Sequence, residues 1–195
     1  MALTSRALAV LPVIAIAAPA HGEGERALSL SAGYATFSTP GKKVGNMEPP
    51  ALSPDFGLTL SGVYERSLGS DFELRGELAG AYFHGGEIMD QSPSSYVALI
   101  DAGFVFRFDV LKDVPYAFGG LGVMTSGGGP IDRGAQGVFV IGGGLDILTS
   151  REHSWGAEVR LGFDFTLPGK GDSGGASNVA LVTLALRHTI RWGFF

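Results

Sequence analysis

A serine set among glycines is the first candidate for chemistry in this sequence. Residues 171–175 read GDSGG and surround Ser173 with small residues, while His84 and Asp101 occur earlier in the chain. A hydroxyl nucleophile needs a histidine as general base and a carboxylate that orients the histidine. These residue types therefore suggest an acyl-transfer site as a hypothesis. The hypothesis requires that the surrounding strands and loops bring the three side chains together.

The context of these residues argues against a protease. GDSGG resembles the nucleophile motif of the chymotrypsin-like serine proteases, and His84, Asp101 and Ser173 occur in that family's chain order. However, His84 lies in YFHGGE rather than in the family's Ala-Ala-His-Cys context, and Asp101 follows it after 17 residues, where the template has about 45. Only 22 residues follow Ser173, too few for the last elements of that fold. We interpret the run as a glycine-rich loop.

Other catalytic and cofactor patterns are not found. No two of the four histidines share a strand face at ligand spacing, and the absence of cysteine excludes disulfides, thiol catalysis and cysteine-ligated zinc. The glycine triplets at 127–129 and 142–144 lack the Lys and Ser/Thr of a phosphate loop. The net charge of −5 argues against nucleic acid as a partner. No cofactor and no enzymatic activity are expected.

The first twenty residues have the features of a secretory signal. Arg6 supplies a positive charge, residues 7–18 are apolar, and Ala18-Pro19-Ala20 is a small-x-small cleavage site. The sequence predicts a signal peptide over 1–20 and a mature domain over 21–195. An exported, cysteine-free chain with 31 glycines in 195 residues suggests a bacterial envelope.

From residue 26 onward, apolar side chains recur at every second position. In FELRGELAGAYF, over 72–83, aromatic and leucine residues alternate with a face that carries Glu73, Arg75 and Glu77. An α-helix would scatter these charges around its circumference, so the period indicates strands. Each predicted strand has at least eleven residues, enough to cross a bilayer at a tilt. The eight predicted strands cover 26–37, 55–67, 72–84, 94–109, 115–125, 136–148, 154–167 and 178–194.

The connections between these strands alternate in length. Four are longer, at 38–54, 85–93, 126–135 and 168–177, and three are short, at 69–71, 110–114 and 149–153. Long loops at one end and tight turns at the other are typical of outer-membrane barrels. The predicted fold class is therefore all-β, an eight-stranded antiparallel up-and-down transmembrane β-barrel.

The two strand faces suit lipid outside and a narrow lumen inside. The apolar face is rich in aromatic residues and lacks charges at the strand centres, as a lipid-facing surface requires. The other face is small or charged, which fits the narrow interior of an eight-stranded barrel. By alternation we expect Gly103, Gly119, Gly142, Gly144 and Gly162 inside. Gly120, Gly122 and Gly143 are expected on the outer face.

The architecture and the last strand resemble the small eight-stranded outer-membrane barrels typified by the OmpA and OmpX transmembrane domains. The stretch VTLALRHTIRWGFF ends in Phe195 after apolar residues at alternate positions. That resemblance implies a bacterial outer-membrane location and a terminal signature, Trp192, Phe194 and Phe195, that the barrel-assembly machinery reads. The alternation runs through Phe194 rather than Phe195, so either Phe194 is the signature residue or the terminal residue leaves the register.

Charges on the inner face collect at one end of the predicted barrel. With the N-terminus periplasmic, four acids and five arginines fall in the periplasmic half of the lumen. One unpaired buried ion costs several kcal/mol or more. The sequence therefore predicts an ion-pair network that plugs this half, with a narrow conduit as the alternative. The predicted network contains Glu65, Glu73, Arg75, Glu77, Arg107, Glu158, Arg160, Arg187 and Arg191.

The other half of the lumen is predicted to be apolar. Phe37, Phe83, Leu99, Val123 and Val140 share the inner parity there. Two interpretations remain open, a packed interior or a shallow pocket for a small hydrophobic ligand.

The favoured role is structural or surface-interacting, and alternatives remain beside it. Expected partners are membrane lipid, lipopolysaccharide and the barrel-assembly machinery; the Lys42-Lys43 pair in loop 38–54 is either a solvated tip or a contact for lipopolysaccharide phosphates. A lipid-modifying Ser/His site is disfavoured, because no His-x-Ser pair accompanies His84. A soluble, lipocalin-like barrel would use the same alternation inside out.

Overall fold

A computed structural model describes residues 24–39, 51–69, 71–86, 94–108, 112–131, 134–165 and 179–193. Every predicted strand is present, and each end agrees with the prediction to within two residues. A short 3-10 turn, Gly129–Ile131, follows the fifth strand. The strands are β1 (Arg26–Ser38), β2 (Phe56–Ser67), β3 (Phe72–His84), β4 (Ser94–Arg107), β5 (Asp113–Gly127), β6 (Gly134–Leu148), β7 (His153–Phe165) and β8 (Ala180–Trp192).

The strands close into a barrel in chain order. Each pairs with the next in antiparallel fashion, and β1 pairs with β8 from Arg26↔Trp192 to Ser38↔Ala180. Closure satisfies the backbone hydrogen-bonding groups of the strands within the sheet and leaves no unpaired edge, which the hydrocarbon of a bilayer demands. The predicted up-and-down barrel is confirmed.

The wall is apolar outside and polar or tightly packed inside. Leu30, Leu60, Leu78 and Leu186 project outward and are each about two-thirds exposed. A continuous band of such side chains around a closed sheet is the lipid-facing surface of a transmembrane barrel. The lipocalin-like alternative is wrong, because it requires the charged face outside, whereas the described strands turn their charged face into the lumen and leave outward charges only near the strand ends. Among the described residues, no helix is long and apolar enough to span a membrane.

The two rims of the barrel differ in their connections. The rim that contains Arg26 and Trp192 also carries the short links at 68–71, 108–112 and 149–152. Short turns mark the periplasmic end of outer-membrane barrels. We call this end the lower rim, and the corresponding half of the interior the lower lumen; the opposite end and half are the upper rim and upper lumen.

The side chains of β5 point to the opposite faces of the barrel wall from those predicted. Val123 points outward with 39% of its surface exposed, whereas Met124 is buried in the lumen. The expected positions of three glycines are reversed with it: Gly120 and Gly122 lie inside, and Gly119 lies outside. No charged residue occurs between 114 and 127 to mark the inner face, so the alternation of β5 was ambiguous.

Cross-strand packing explains the facing of β5. Tyr116 and Phe118 point into the lumen, and their register partners on β6 are Gly144 and Gly142. A Cβ atom at Gly142 would collide with the Phe118 ring, and one at Gly144 with Tyr116. Two aromatic rings fit inside a narrow barrel because the neighbouring strand presents no side chain opposite them.

Candidate functional site

The structure brings all nine charged residues of the predicted network together in the lower lumen. Their side chains reach it from five strands, and none is more than 9% exposed. Alternation explains this convergence, since each charge lies between two outward residues, all of them apolar except Arg66 and His188. The nine are Glu65 on β2, Glu73, Arg75 and Glu77 on β3, Arg107 on β4, Glu158 and Arg160 on β7, and Arg187 and Arg191 on β8.

Arg75 is the centre of this network. Its Nη1 and Nη2 atoms donate to the two carboxylate oxygens of Glu158, each at 3.0 Å, and Nη2 also donates to Glu77 Oε2 at 2.9 Å. The guanidinium carbon lies 3.8 Å from the centroid of the Phe118 ring. A bidentate fork and a cation–π contact use the planar shape of arginine, which lysine lacks.

Glu65 is shared by two further arginines. Its Oε2 accepts from Arg187 Nη2 at 2.6 Å and from Arg107 Nη2 at 2.7 Å. Arg107 also forms an ion pair with Glu73, with 2.8 Å between Nε and Oε2. A single carboxylate therefore links β4 to β8 across the lumen.

Arg160 forms the upper edge of the network. Its Nη1 lies 2.6 Å from Glu77 Oε1, and its Nη2 lies 3.4 Å from both Glu158 Oε1 and the Ser61 hydroxyl. Above this level the described inward side chains are small or apolar, apart from Gln136 and Asp164. Arg160 therefore separates the charged lower lumen from the rest of the interior.

Asp146 is a member of the network that sequence reasoning missed. It is fully buried, and its Oδ2 accepts from Arg107 Nη1 at 3.1 Å and from Arg191 Nη2 at 3.2 Å. Asp146 brings the acids to five, equal to the arginines. Its position between outward Leu145 and Ile147 was a usable signal in the alternation.

Tyr116 was missed as well, because the facing of β5 was misread. Its hydroxyl donates to Glu158 Oε2 at 3.0 Å and accepts from Arg187 Nη1 at 3.2 Å. The guanidinium carbons of Arg107 and Arg187 lie 5.1 and 5.0 Å from its ring centroid. The ring thus lies between the guanidinium groups of Arg107 and Arg187, and its hydroxyl contacts both a carboxylate and a guanidinium.

Asp101 is a sixth acid and differs from the other five. It points into the lumen, as expected, opposite Glu77 in the β3–β4 register. Among the described residues it makes no ion pair, and its Oδ2 has no hydrogen-bond partner. The lower lumen therefore contains five arginines with five matched buried acids, and one unmatched carboxylate beside Glu77; at the lower rim Arg191 is also paired with Glu25, at 3.2 Å between Nη1 and Oε1.

The upper lumen is filled mainly by apolar side chains. Phe37 and Phe83 are fully buried and pack edge to face, with ring centroids 5.0 Å apart. A cavity between this core and Arg160 has a volume of about 10 Å³, about the size needed for one water. The buried apolar cluster reaches down to Val105, Tyr116 and Phe118, which lie at the depth of the charged network. Its other described members are Ala35, Phe37, Ala79, Phe83, Val97, Leu99, Met124, Ile131, Val138, Val140, Val179 and Leu181.

The hypothetical nucleophile and its partners are not assembled. His84 lies exposed at the upper end of β3, whereas Asp101 lies inside the lumen, so the wall separates them. Ser173 and the rest of GDSGG fall outside the described residues. Strand pairing does place a serine opposite His84, since Ser94 is its register partner. The Ser94 hydroxyl is hydrogen-bonded to Tyr82 at 2.8 Å, and no bond from it to His84 is formed among the described residues.

Two other histidines meet on the outer wall. His153 and His188 lie on neighbouring strands with ring centroids 5.5 Å apart, and Trp155 lies 4.5 Å from His188. The spacing of histidines along single strands does not predict this pair, because the two residues lie on different strands. In the part of the chain that the structure describes, no group of three or more His, Asp or Glu residues is arranged to hold a metal ion.

The terminal strand ends at Trp192, which is directed outward and 40% exposed. Gly193 has a φ of +86°, in the left-handed region, so the extended alternation ends there. Phe194 and Phe195 lie outside the described residues, as do the predicted signal peptide over 1–20 and the Lys42-Lys43 pair. Those predictions stay predictions.

Known proteins resemble this chain in fold. No protein-family model matches it, and no curated protein matches it either. Ail, the attachment invasion locus protein of Yersinia pestis, solved in complex with the heparin analogue sucrose octasulfate, is 19% identical with a TM-score of 0.52, over 88% of this chain and 100% of that chain.

Two further structures show the same likeness. The outer membrane protein OprG from Pseudomonas aeruginosa is 9% identical with a TM-score of 0.56, over 86% of this chain and 96% of that chain. The outer membrane enzyme PagL is 17% identical with a TM-score of 0.51, over 83% and 98%. The chain has the fold of small outer-membrane barrels, and the predicted resemblance to them is confirmed at the level of the fold.

Proposed function

We propose that this protein is a closed, non-conducting barrel of the bacterial outer membrane that anchors surface loops rather than passing a solute. The observation that carries the proposal is the filling of the lumen along its length. Charged pairs occupy the lower half and a packed apolar core occupies the upper half. An eight-stranded barrel has little interior volume beyond its own side chains, and these side chains take it up.

The lower lumen supports a plug because its charges neutralise one another at short range. Arg75, Arg107 and Arg187 each contact at least two carboxylates at 3.2 Å or less. A permeating ion would have to displace one of these contacts, and removal of one partner from a buried pair costs about 3–5 kcal/mol. The network therefore opposes conduction instead of lining a path.

The upper lumen supports closure by a different means. Most of its described side chains are apolar and buried, and the cavity beneath them has room for about one water. An ion or a polar solute would lose its hydration there and receive few new partners, since the inward polar side chains at this depth are few. The same packing disfavours the alternative of a pocket for a hydrophobic ligand.

A surface role is supported by the fold relatives. Ail was solved with a heparin analogue, a polyanion, so a barrel of this fold can present an anion-binding surface. We propose by analogy that the long loops here, including Lys42-Lys43 in 38–54, contact lipopolysaccharide phosphates. Membrane lipid and the barrel-assembly machinery complete the proposed partners, the latter through Trp192, Phe194 and Phe195.

Catalysis is not proposed, although PagL shows that an outer-membrane barrel of this fold can be an enzyme. The Ser94 hydroxyl is engaged by Tyr82 instead of by His84. We expect lipid A from cells that express the protein to have the same mass as lipid A from cells that express a His84→Ala, Ser94→Ala variant. A mass difference that depends on these two residues would establish lipid modification and overturn the non-enzymatic proposal.

The deciding experiment is single-channel recording in planar bilayers with the mature chain, residues 21–195. Refolding in detergent, checked by a heat-dependent shift in gel mobility, comes first. We expect no conductance steps from the unmodified protein or from variants Glu77→Ala and Arg160→Ala, since the upper core remains closed. Lys112→Ala at the exposed lower rim is the matched control. Conductance that rises in the two lumen variants alone would identify a gated conduit.

A further inference from the structure

A groove runs across the outer wall of the barrel, independent of the lumen. It crosses β8, β1, β2 and β3, with Trp155 of β7 at its side, and has a volume of about 750 Å³. Ala32, Gly62 and Gly80 form its floor. Its walls are the outward leucines Leu30, Leu60, Leu78 and Leu186.

The glycines of the floor are not required by barrel packing. A Cβ atom at Gly62 would meet nothing closer than Leu30 Cδ2 at 3.8 Å, and one at Gly80 nothing closer than the Val97 carbonyl oxygen at 3.9 Å. At the inward Gly33 and Gly103, by contrast, a Cβ atom would collide with neighbouring backbone. The floor thus leaves open space where leucine would fit, and this space faces lipid.

Two arginines face outward below the groove. Arg26 of β1 and Arg66 of β2 are direct register partners at the lower rim. Like charges directly opposite each other on one sheet face destabilise a strand pair. Among the described residues, neither guanidinium takes part in a hydrogen bond or an ion pair. The outward positions of β8, β1, β2 and β3 carry no acid. The pair therefore lacks an anion from its own wall.

Aromatic residues place this arginine pair at the membrane interface. Trp192 is the β8 register partner of Arg26, and its ring lies 6.5 Å from that of Tyr64. Trp and Tyr concentrate at headgroup level in membrane proteins. Leu30 is four residues along β1 from Arg26, about 13 Å for an extended strand. The arginines are thus at headgroup depth and the groove is at acyl-chain depth.

We propose that this wall binds an anionic phospholipid of the periplasmic leaflet. The lipid phosphate lies between Arg26 and Arg66, and an acyl chain lies in the groove over Gly62 and Gly80. Charge complementarity favours this occupant over a second copy of the chain, since a symmetric copy would present the same acid-free face. Bidentate contacts from two guanidiniums suit a phosphate diester.

The two tryptophans of the chain report on the site directly. Trp155 flanks the groove and Trp192 flanks Arg26. A lipid with brominated acyl chains quenches tryptophan fluorescence on contact. The mature chain is refolded into phosphatidylcholine vesicles that contain a small fraction of brominated phosphatidylglycerol or, in parallel, of brominated phosphatidylcholine. We expect the anionic lipid to quench several-fold more strongly at equal fraction.

Two variants assign the effect to the site. Arg26→Gln with Arg66→Gln should remove the preference for phosphatidylglycerol. Lys112→Gln with Arg151→Gln deletes the same charge from exposed positions at the same rim and should keep the preference. Gly62→Leu with Gly80→Leu fills the groove and should reduce quenching by the anionic lipid even if the arginine variant fails to refold.

Three results would overturn the proposal. Equal quenching by the two brominated lipids shows that no anionic lipid is selected. An equal loss of preference in the Arg26/Arg66 and Lys112/Arg151 variants shows general charge attraction rather than a site. Loss of quenching as the protein-to-lipid ratio rises, together with chemical cross-linking of two chains through this wall, identifies a second copy as the occupant. None of these results bears on conductance, so the closed-barrel proposal is tested separately.

Discussion

The lower and upper halves of the lumen fill the same barrel with opposite chemistry. The lower half contains five arginines and six acids, whereas the described upper half contains mainly aromatic and aliphatic side chains in a packed core. The lower contacts are directional and shared, so that Glu65 serves Arg107 and Arg187 at once. The upper contacts depend on volume and shape. A narrow barrel can therefore be closed either by charge matching or by packing.

This difference determines how much stability is lost when one side chain is removed from each half. In the lower lumen, loss of one ion leaves others buried without partners, and the cost exceeds that of the deleted contacts. In the upper lumen, loss of a side chain leaves a cavity whose cost follows its volume. Four predictions test this contrast, each by denaturant unfolding of the refolded mature chain in vesicles.

Arg75→Ala should have the largest effect. It leaves Glu158 and Glu77 without their shortest contacts at the centre of the lumen. We expect a loss of about 3–5 kcal/mol in the free energy of unfolding. Arg26→Ala, an arginine on the outer face, is the control and should change little. A loss below about 1 kcal/mol for Arg75→Ala would show that water or neighbouring groups replace its contacts.

Met124→Ala should cost about 2–5 kcal/mol, the range for a large-to-small change in a packed core. Met124 is 2% exposed, while its neighbour Val123 is 39% exposed on the outer face. Val123→Ala is therefore the matched control, with a smaller expected loss. Equal losses at the two positions would contradict the facing of β5 described here.

The Glu77–Arg160 pair should show coupling in a double-mutant cycle. Their closest atoms are 2.6 Å apart, and residues in direct contact couple by about 0.5–3 kcal/mol. The same cycle for Phe83 and Arg160, one from each half, should give a value near or below the lower limit, since Phe83 does not line the cavity next to Arg160. Coupling of similar size in both cycles would mean that the two halves act as one unit.

Asp101→Asn should have the smallest effect and the opposite sign. Asp101 lies opposite Glu77 and has no ion-pair partner of its own among the described residues. Replacing its carboxylate by an amide of the same shape therefore removes the repulsion between Asp101 and Glu77. We expect a gain of about 1 kcal/mol in the free energy of unfolding. Glu158→Asn, at a fully paired acid, should be clearly destabilising. A loss at Asp101 would reveal a partner for this carboxylate.

Much of the fold was predictable because lipid and lumen select different side chains. FELRGELAGAYF assigns every residue of β3 to a face, since Glu73, Arg75 and Glu77 mark the inside unambiguously. The same logic located all nine charges. It overlooked Asp146 although the alternation in β6 marks that residue too.

The sequence was least informative where neither face carries a charge. On β5 glycine and apolar residues stand on both faces, and the inward Tyr116 and Phe118 resemble lipid-facing aromatics. Tyr116 and Phe118 point inward because their partners on β6 are Gly144 and Gly142. The pattern of residues along β5 alone does not contain this information. Pairs such as His153–His188 and His84–Ser94 depend on strand register for the same reason.

By itself the sequence determined the strands, their number, the lipid-facing surface outside β5 and nine of the lumen charges, because a period of two and a low-dielectric exterior constrain each strand separately. Only the tertiary structure decided which arginine meets which acid, that Asp101 is left over, and that Arg26 lies directly opposite Arg66. Those outcomes depend on the stagger between strands and on barrel closure, which relate residues far apart in the chain.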